Sequence, residues 1–193
     1  EKDRYELNIQ EINSRSFTWD YEKDTLQISS PETTVENAHF EVYRNKTLPD
    51  DQRIKPLYSQ LLREMGTKLN FDIIKIKNSG IVYEEKVDKK RPPGVLKFND
   101  LNASLYNITN ININSPDFPR TQIKAKAQFM EEAPLTMDLE FNVNNEADTF
   151  TVAGELGAVS AKAMNSFLRP TMNVEVEGII KDLQYNFRGN GYN

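Results

Sequence analysis

The stretch Leu135-Thr136-Met137-Asp138-Leu139-Glu140-Phe141-Asn142-Val143 alternates apolar and polar side chains without interruption. Successive side chains of a β-strand point to opposite faces, so this pattern predicts a strand with one apolar and one polar face. At about 3.3 Å per residue the strand is roughly 30 Å long, against the usual ~17–20 Å. The flanking stretches alternate in the same way, with Ile123, Ala125, Ala127 and Phe129 before it and Phe150, Val152, Gly154 and Leu156 after it. We therefore expect three long antiparallel strands with a common apolar face.

The rest of the chain favours a mainly β fold with two short helices. We expect a long curled antiparallel meander sheet, an open groove or half-barrel, covered in part by amphipathic helices. Residues 1–53 are predicted to be N-terminal strands, residues 54–66 a helix, and residues 67–193 the main sheet with a second helix near 160–168, in one continuous domain. The first helix has helical apolar spacing and a stop at Gly66; the second is expected to end at Pro170.

Turn-forming residues divide the other strand patterns into short pieces. Turns are expected at residues 13–15, 29–31 and 78–80, and a further turn at 99–100. Short strands are expected around Ile111 and Ile113 and around Val174 and Val176. The apolar positions change faces at residues 73–74, which predicts a β-bulge or a face switch there.

Composition and charge exclude several classes of protein. The formal net charge is −5 and the pI is about 5.1, whereas nucleic-acid binders usually carry a basic patch and a high pI. The absence of cysteine excludes a disulfide framework, a thiolate nucleophile and a cysteine-based zinc site. The chain has no run of about 18 apolar residues, the length that a membrane-spanning helix requires. Since it begins at Glu1 and enters a strand pattern almost at once, we expect an excised or mature segment.

Signals for catalysis are nearly absent. His39 is the single histidine, so neither an HExxH zinc site nor a multi-histidine site can form. No serine lies in a nucleophile elbow. The carboxylate pair Glu84-Glu85 lies in a strand pattern, where neighbours point to opposite faces and do not converge on a substrate. The sequence therefore predicts a protein that is not an enzyme, with no catalytic residue, metal ligand or cofactor; an enzyme would require His39 and a carboxylate to meet in a pocket.

The apolar sheet face is the strongest candidate for function. Leaving such a face in water costs about 25 cal/mol per Å² of apolar area, so it has to fold on itself, pair with another domain or hold lipid. The candidate groove face consists of Ile123, Phe129, Leu135, Met137, Leu139, Phe141, Val143, Val152 and Leu156.

Several stretches, covering about half of the chain, resemble the AsmA-like envelope proteins. They are residues 150–157 (FTVAGELG), 161–170, 174–187 (VEVEGIIKDLQYNF), 74–82 (IKIKNSGIV) and 96–103 (LKFNDLNA). The resemblance implies a segment of a repeating β-groove protein in the periplasm of a Gram-negative bacterium, tethered to the inner membrane through an anchor outside this segment. It implies a non-catalytic role in phospholipid transport or outer-membrane assembly, with lipid acyl chains and adjacent domains of a longer parent chain as partners.

A second function class is an envelope β-sandwich module that binds glycan or protein. The aromatic strand with Phe17, Trp19 and Tyr21 is its main support, because exposed aromatic rings stack on sugars. A weaker candidate for contact with anionic headgroups is the loop over residues 86–91, whose four basic residues are diluted by acids.

Overall fold

The computed structural model describes residues 2–49 and 55–191. Its strands are β1 Asp3–Arg15, β2 Thr18–Glu22, β3 Thr25–Asn45, β4 Lys68–Lys86, β5 Gly94–Thr109, β6 Thr121–Phe129, β7 Ala133–Phe141, β8 Phe150–Leu156, β9 Val159–Ser160, β10 Ile179–Ile180 and β11 Leu183–Gly189. Its α-helices are α1 Tyr58–Glu64 and α2 Asn165–Met172, and a 3₁₀ turn spans Ala161–Met164. The chain is thus mainly β with two short helices, as its sequence predicts.

Nine strands form one large sheet in the order β1-β3-β4-β5-β6-β7-β8-β11, with β2 also paired to β3. The sheet is not closed into a barrel, since β1 and β2 form one edge and β11 the other. All neighbours are antiparallel except β3 and β4, which run parallel. The expected pure meander is therefore interrupted once. A parallel pair needs a crossover connection, and residues 46–67, which include α1, supply it.

The N-terminal strands form one very long hairpin. β1 and β2 lie end to end along β3 in a single register, from Asp3 opposite Arg44 to Glu22 opposite Thr25. Lys23 and Asp24 form the turn, with φ values of 48° and 65°. Two positive φ angles in a two-residue loop are the signature of a type I′ turn, whose twist matches that of the strands. The turns expected at residues 13–15 and 29–31 are wrong, because β1 and β3 continue through them.

A line of left-handed residues crosses the sheet. Asn37 in β3, Asn78 in β4 and Asp100 in β5 have φ values of 53°, 47° and 50° and lie at one level of the sheet, where the β4–β5 register shifts. The turns expected at residues 78–80 and 99–100 are therefore wrong. Asparagine and aspartate tolerate the left-handed region, and here they form bulges inside long strands instead of ending them.

This bulge line keeps the apolar side chains on one face. Ile76 of β4 pairs with Ala103 of β5, and Ile81 of β4 pairs with Phe98 of β5. These two pairs, each of which starts a row of residues across the sheet, are five residues apart along both strands. An odd spacing places side chains on opposite faces of a regular strand. Both rows nevertheless continue to the same face of β6, at Ala125 and Phe129, because the extra residue in each strand reverses the alternation.

A second bulge line lies nearer the turn of the long hairpin. Ser16 and Asn107 have φ values of 49° and 57°, and Pro31 and Asp72 lie between them in the register. This line lies beside residues 73–74, where the sequence predicts a β-bulge or a face switch. On its far side Leu69 and Ile108 join the same hydrophobic core as Leu139. All three parts of the long strands thus place apolar side chains on this face, while Ile73 and Tyr106 lie on the other.

Both helices lie near their predicted positions, but the second has a different end. Residue 54, the predicted start of the first helix, lies outside the described residues. α2 continues past Pro170 to Met172 and is capped by Asn173, which is left-handed and whose N–H donates to the Arg169 carbonyl. Asparagine is a common residue at a left-handed helix end, so this cap, not the proline, determines where α2 stops.

The two short strands expected in loops are wrong. Residues 111–114 form turns, with Asn112 at a φ of 55° and the Ser115 N–H bonded to its carbonyl. Val176 is not in a strand because the Asn165 side chain takes the place of a strand partner: it donates to the Val176 carbonyl and accepts from the Val176 N–H, each at 2.9 Å. In the described part of the chain no helix has the length and apolarity that crossing a membrane would demand.

Candidate functional site

The nine residues of the predicted groove face lie on one face of the sheet and in two hydrophobic clusters. The first cluster contains Ile123, Met137, Leu139, Phe141, Val143 and Val152. The second contains Phe129, Leu135 and Leu156. Phe129, Leu139, Phe141 and Val143 are buried, and the other five are half-buried. Much of this face is therefore covered by the chain's own side chains, and its role in binding a ligand stays a prediction.

Helix α1 and the loop after β5 cover the first cluster. Leu62 of α1 is buried in this cluster with Leu139 and Phe141, and the loop residues Ile113 and Phe118 pack against the cluster. The buried Asn110 side chain joins these parts: its amide donates to the carbonyls of Leu62 and Thr67, each at 3.0 Å, and its oxygen accepts from the Leu69 N–H at 2.8 Å. One side chain thus satisfies a carbonyl near the end of α1 and pairs with the start of β4.

An ion pair fixes the other side of α1 to the loop between β7 and β8. Arg63 donates to the Val143 carbonyl at 2.8 Å and lies 2.9 Å from the buried Asp148 carboxylate. Ser59 donates to the same carboxylate at 2.7 Å. Burial alone would raise the pKa of Asp148, but the hydrogen bonds from Arg63 and Ser59 outweigh it and hold that pKa below its usual value.

We expect this carboxylate to make the attachment of α1 dependent on pH. Since the pKa of Asp148 is lowered in the folded state, its contribution is complete above the unfolded pKa of about 3.9 and is lost as the pH falls below it. The variant Asp148→Asn should be less stable than the wild type by about 2 kcal/mol at pH 6. Urea unfolding followed by far-UV circular dichroism should show this difference shrink towards pH 2. A difference that is constant with pH would contradict this role of Asp148.

The 3₁₀ turn covers the second cluster. Ala163 and Met164 pack against Phe129, Ala133 and Val159. α2 also lies close to β5, because a Cβ added at Gly94 would meet the Phe167 carbonyl at 2.8 Å. The two covers therefore occupy separate regions of the apolar face.

The N-terminal edge of the same face has no comparable cover among the described residues. Its exposed side chains, which we call the apolar edge strip, are Tyr5, Leu7, Ile9, Ile12, Phe17, Trp19 and Tyr21, each 38–65% exposed. The register places Leu7 in a row with Phe40, Ile81, Phe98 and Phe129, which continues into the second cluster. The strip is thus the uncovered continuation of the face that forms the core.

The three aromatic residues singled out in the sequence belong to this strip. Trp19 is 65% exposed, and its ring lies 6.4 Å from that of Tyr21 in an edge-on arrangement. Trp19 pairs with Ile28, which pairs with Leu69 of the first cluster. The aromatic rings are therefore accessible and on the apolar face.

A cavity of about 870 Å³ lies across strands β4 to β8 and β11. Most of its lining residues come in groups of three consecutive residues, one group on each strand. The middle residues of these groups pair with one another across the sheet: Ile76, Ala103, Ala125, Met137, Gly154 and Tyr185. The outer members of each group are polar-face side chains such as Lys124 and Lys126. Apolar-face neighbours such as Ile123 and Leu139 are not among the lining residues. The cavity therefore lies over the polar face, opposite the predicted groove.

The groups with the clearest acid–base chemistry are engaged in structural contacts. Glu85 is buried, accepts from the Tyr83 hydroxyl at 2.6 Å and lies 3.0 Å from the Lys46 ammonium. Burial and the Glu85 carboxylate raise the pKa of Tyr83 to about 12. His39 is half exposed, with its ring 3.1 Å from Glu41 on the same strand. Within residues 2–49 and 55–191 no group of histidine, aspartate and glutamate side chains is arranged to hold a metal ion.

Two of the basic residues in the loop 86–91 make contacts within the loop. Lys86 donates to the Arg91 carbonyl at 3.1 Å, and Arg91 lies 3.3 Å from Asp88. Lys89 and Lys90 are exposed.

Sequence reasoning missed the extent of the apolar edge strip and the cavity on the polar face. The alternation of Tyr5, Leu7 and Ile9 was visible, but alternation does not tell which part of a face the helices will cover. The cavity depends on the register of six strands, which no local pattern contains.

The chain was compared with models of protein families, with curated proteins and with solved structures, and none of these comparisons gave a match.

Proposed function

We propose that this chain is a non-catalytic segment of a Gram-negative envelope protein of AsmA-like type, which supports phospholipid transport or outer-membrane assembly by holding acyl chains against the apolar face of its sheet. The observation that carries the proposal is the apolar edge strip. Seven large apolar side chains along one edge are exposed by 38–65%, and an exposed apolar surface of this kind marks a site for a protein, a ligand or a membrane.

Lipid fits this strip better than a polar ligand does. Contact with a hydrocarbon chain is non-directional and requires only apolar area, which Leu7, Ile9 and Ile12 provide. The polar side chains of the same strand, such as Asn8 and Asn13, point to the other face. An acyl chain would therefore lie along the strip while its headgroup stays in water.

The open edges support a place in a longer protein. β1 with β2 and β11 are edge strands of the described sheet, and edge strands present unpaired backbone groups to which another strand can add. Adjacent domains of a longer parent chain would pair there. Under this proposal the segment lies in the periplasm and is held at the inner membrane by an anchor outside it.

The test adds charge to the strip. Leu7→Asp/Ile12→Asp should weaken binding of a fluorescent phosphatidylethanolamine by at least about tenfold, because burying one leucine side chain contributes about 1.5–3 kcal/mol. Asn8→Asp/Asn13→Asp is the matched control, since it adds the same charge to the polar face of the same strand. Both side chains of each pair are exposed, so far-UV circular dichroism should show all three proteins folded.

Two results would overturn the lipid role. One is a wild-type protein that retains no phospholipid in native mass spectrometry and binds none in titration. The other is equal weakening in both double variants, which would indicate an effect of net charge alone. Leu139 and Phe141 are unsuitable for this test because both are buried in the first cluster and an aspartate there would disrupt the core.

The second candidate is a glycan- or protein-binding module, favoured by the exposed Trp19 and Tyr21 rings. Aromatic faces stack on the apolar faces of sugars. Trp19→Ala separates the two functions. Loss of binding to a neutral oligosaccharide such as maltoheptaose, with phospholipid binding retained, would favour the module; the reverse would favour the lipid role.

A further inference from the structure

The cavity over the polar face carries a cluster of four lysines. Lys75 and Lys77 lie on β4, and Lys124 and Lys126 lie on β6. Strand β5 runs between the two pairs. With strands about 4.8 Å apart and alternate residues about 7 Å apart, the four Cα atoms mark a rectangle of roughly 10 by 7 Å. Asp138 and Glu155 also line the cavity, so its lining carries four lysines against two carboxylates, an excess of positive charge in a chain whose net charge is −5.

The lysines are held weakly and can change partners. Lys75 pairs with Glu32 at 2.8 Å, Lys77 with Glu36 at 2.9 Å and Lys124 with Asp138 at 3.7 Å. Exposed pairs such as these contribute little to stability, so an incoming anion can replace the protein carboxylates. Lys126 has no ion-pair partner in residues 2–49 and 55–191.

Hydroxyl and amide groups line the rest of the cavity. Ser104 and Asn102 lie on β5 between the two lysine pairs, and Thr136, Gln184 and Asn186 extend the polar lining towards β11. Most of the large apolar side chains of these strands point to the other face, but Tyr106 lines the cavity. The cavity therefore offers hydrogen bonds and lysine ammonium groups to a polar ligand.

We propose that this cavity binds an acidic oligosaccharide, with its carboxylate groups at the four lysines and its sugar hydroxyls against the amide and hydroxyl side chains. The cavity crosses six strands, a span of about 24 Å, which suits an extended chain. Tyr106 lines the cavity and offers an aromatic ring for contact with one sugar. A single-stranded nucleic acid fits less well, because such ligands stack their bases on a series of aromatic rings, whereas Tyr106 is the one polar-face aromatic side chain among the lining residues.

Titration calorimetry with trigalacturonate tests this site, with maltotriose as the neutral comparison. Replacing Lys75, Lys77, Lys124 and Lys126 by glutamine should weaken trigalacturonate binding by at least about tenfold. The matched control replaces the exposed Lys89, Lys90, Lys162 and Lys181 by glutamine and should leave binding unchanged. Wild-type binding should weaken as salt is added and exceed that of maltotriose at low salt.

The outcomes separate this site from the alternatives. Absence of trigalacturonate binding, or equal weakening in both quadruple variants, would overturn the proposal. Inorganic phosphate that competes as well as trigalacturonate would indicate a simple anion site, and tighter binding of oligothymidylate would indicate a nucleic-acid site; either result overturns the sugar assignment. The proposal is independent of the lipid role, since the lysine variants leave the apolar edge strip intact and should retain phospholipid.

Discussion

Replacing Gly154 by alanine should destabilise the folded chain by about 3 kcal/mol, at the upper end of the cost of overpacking. A Cβ at Gly154 would collide with the Thr136 carbonyl oxygen and with the ring and hydroxyl of Tyr185. Tyr185 lies over this glycine and donates to the Thr136 carbonyl at 2.6 Å. The carbonyl belongs to the backbone of β7 and cannot turn away, so the sheet itself has to move and this hydrogen bond is lost.

Urea unfolding by far-UV circular dichroism measures the loss. Trp19 is too exposed to report unfolding by fluorescence. Gly66→Ala is the control, because a Cβ there meets nothing within 4 Å, and it should change the free energy of unfolding by less than about 1 kcal/mol. A Gly154→Ala protein as stable as this control would show that β7, β8 and β11 are less closely packed around Gly154 than the contacts of Thr136 and Tyr185 indicate.

Replacing Asn110 by alanine should cost about 3 kcal/mol, because one change leaves three backbone groups without partners. The carbonyls of Leu62 and Thr67 and the N–H of Leu69 all bond to this side chain. Each buried group left unpaired costs about 1–3 kcal/mol, reduced where water can reach it. Asn110 is 1% exposed, so water has little access to the site.

Asn110→Ala should loosen α1 more than the rest of the sheet, in addition to lowering the stability of the whole chain. Hydrogen exchange of the amides of α1 should accelerate more than that of β6 and β7, since α1 loses its connection to β4. Asn114→Ala, an exposed position in the same loop, is the control and should be neutral. Uniform acceleration across the sheet would contradict the role of Asn110 as the attachment of α1.

The sequence predicts β6 to β8 well because they pair without a register shift and are covered on the apolar side. It fails where a strand continues through a turn-forming residue. Asn78 and Asp100 are typical of turns, yet here they occupy left-handed positions inside β4 and β5. The backbone conformation is the one that the residue type favours, but whether the chain then reverses or continues depends on the partner strands, which local sequence does not specify.

The candidate site was predictable only in part. Alternation places Leu139 and Phe141 on the apolar face, but it does not show that α1 covers them, since the packing of a helix depends on a crossover and on distant contacts such as Arg63 with Asp148. The same limitation applies to the exposed Leu7 and Ile12, whose pattern resembles that of core residues. The lysine cluster joins residues about fifty positions apart through strand register alone.

The two bulge lines have a consequence for self-association. A long, flat strand edge is a template on which further copies of a chain add and grow into fibres. The edge formed by β1 and β2 is long and carries apolar side chains. Bulges increase local twist and interrupt pairing, and here they lie at the level of Gln10 and at Ser16. They interrupt the edge at two levels and twist it there, so the strand of a second copy cannot form a continuous hydrogen-bonded ladder along the whole edge.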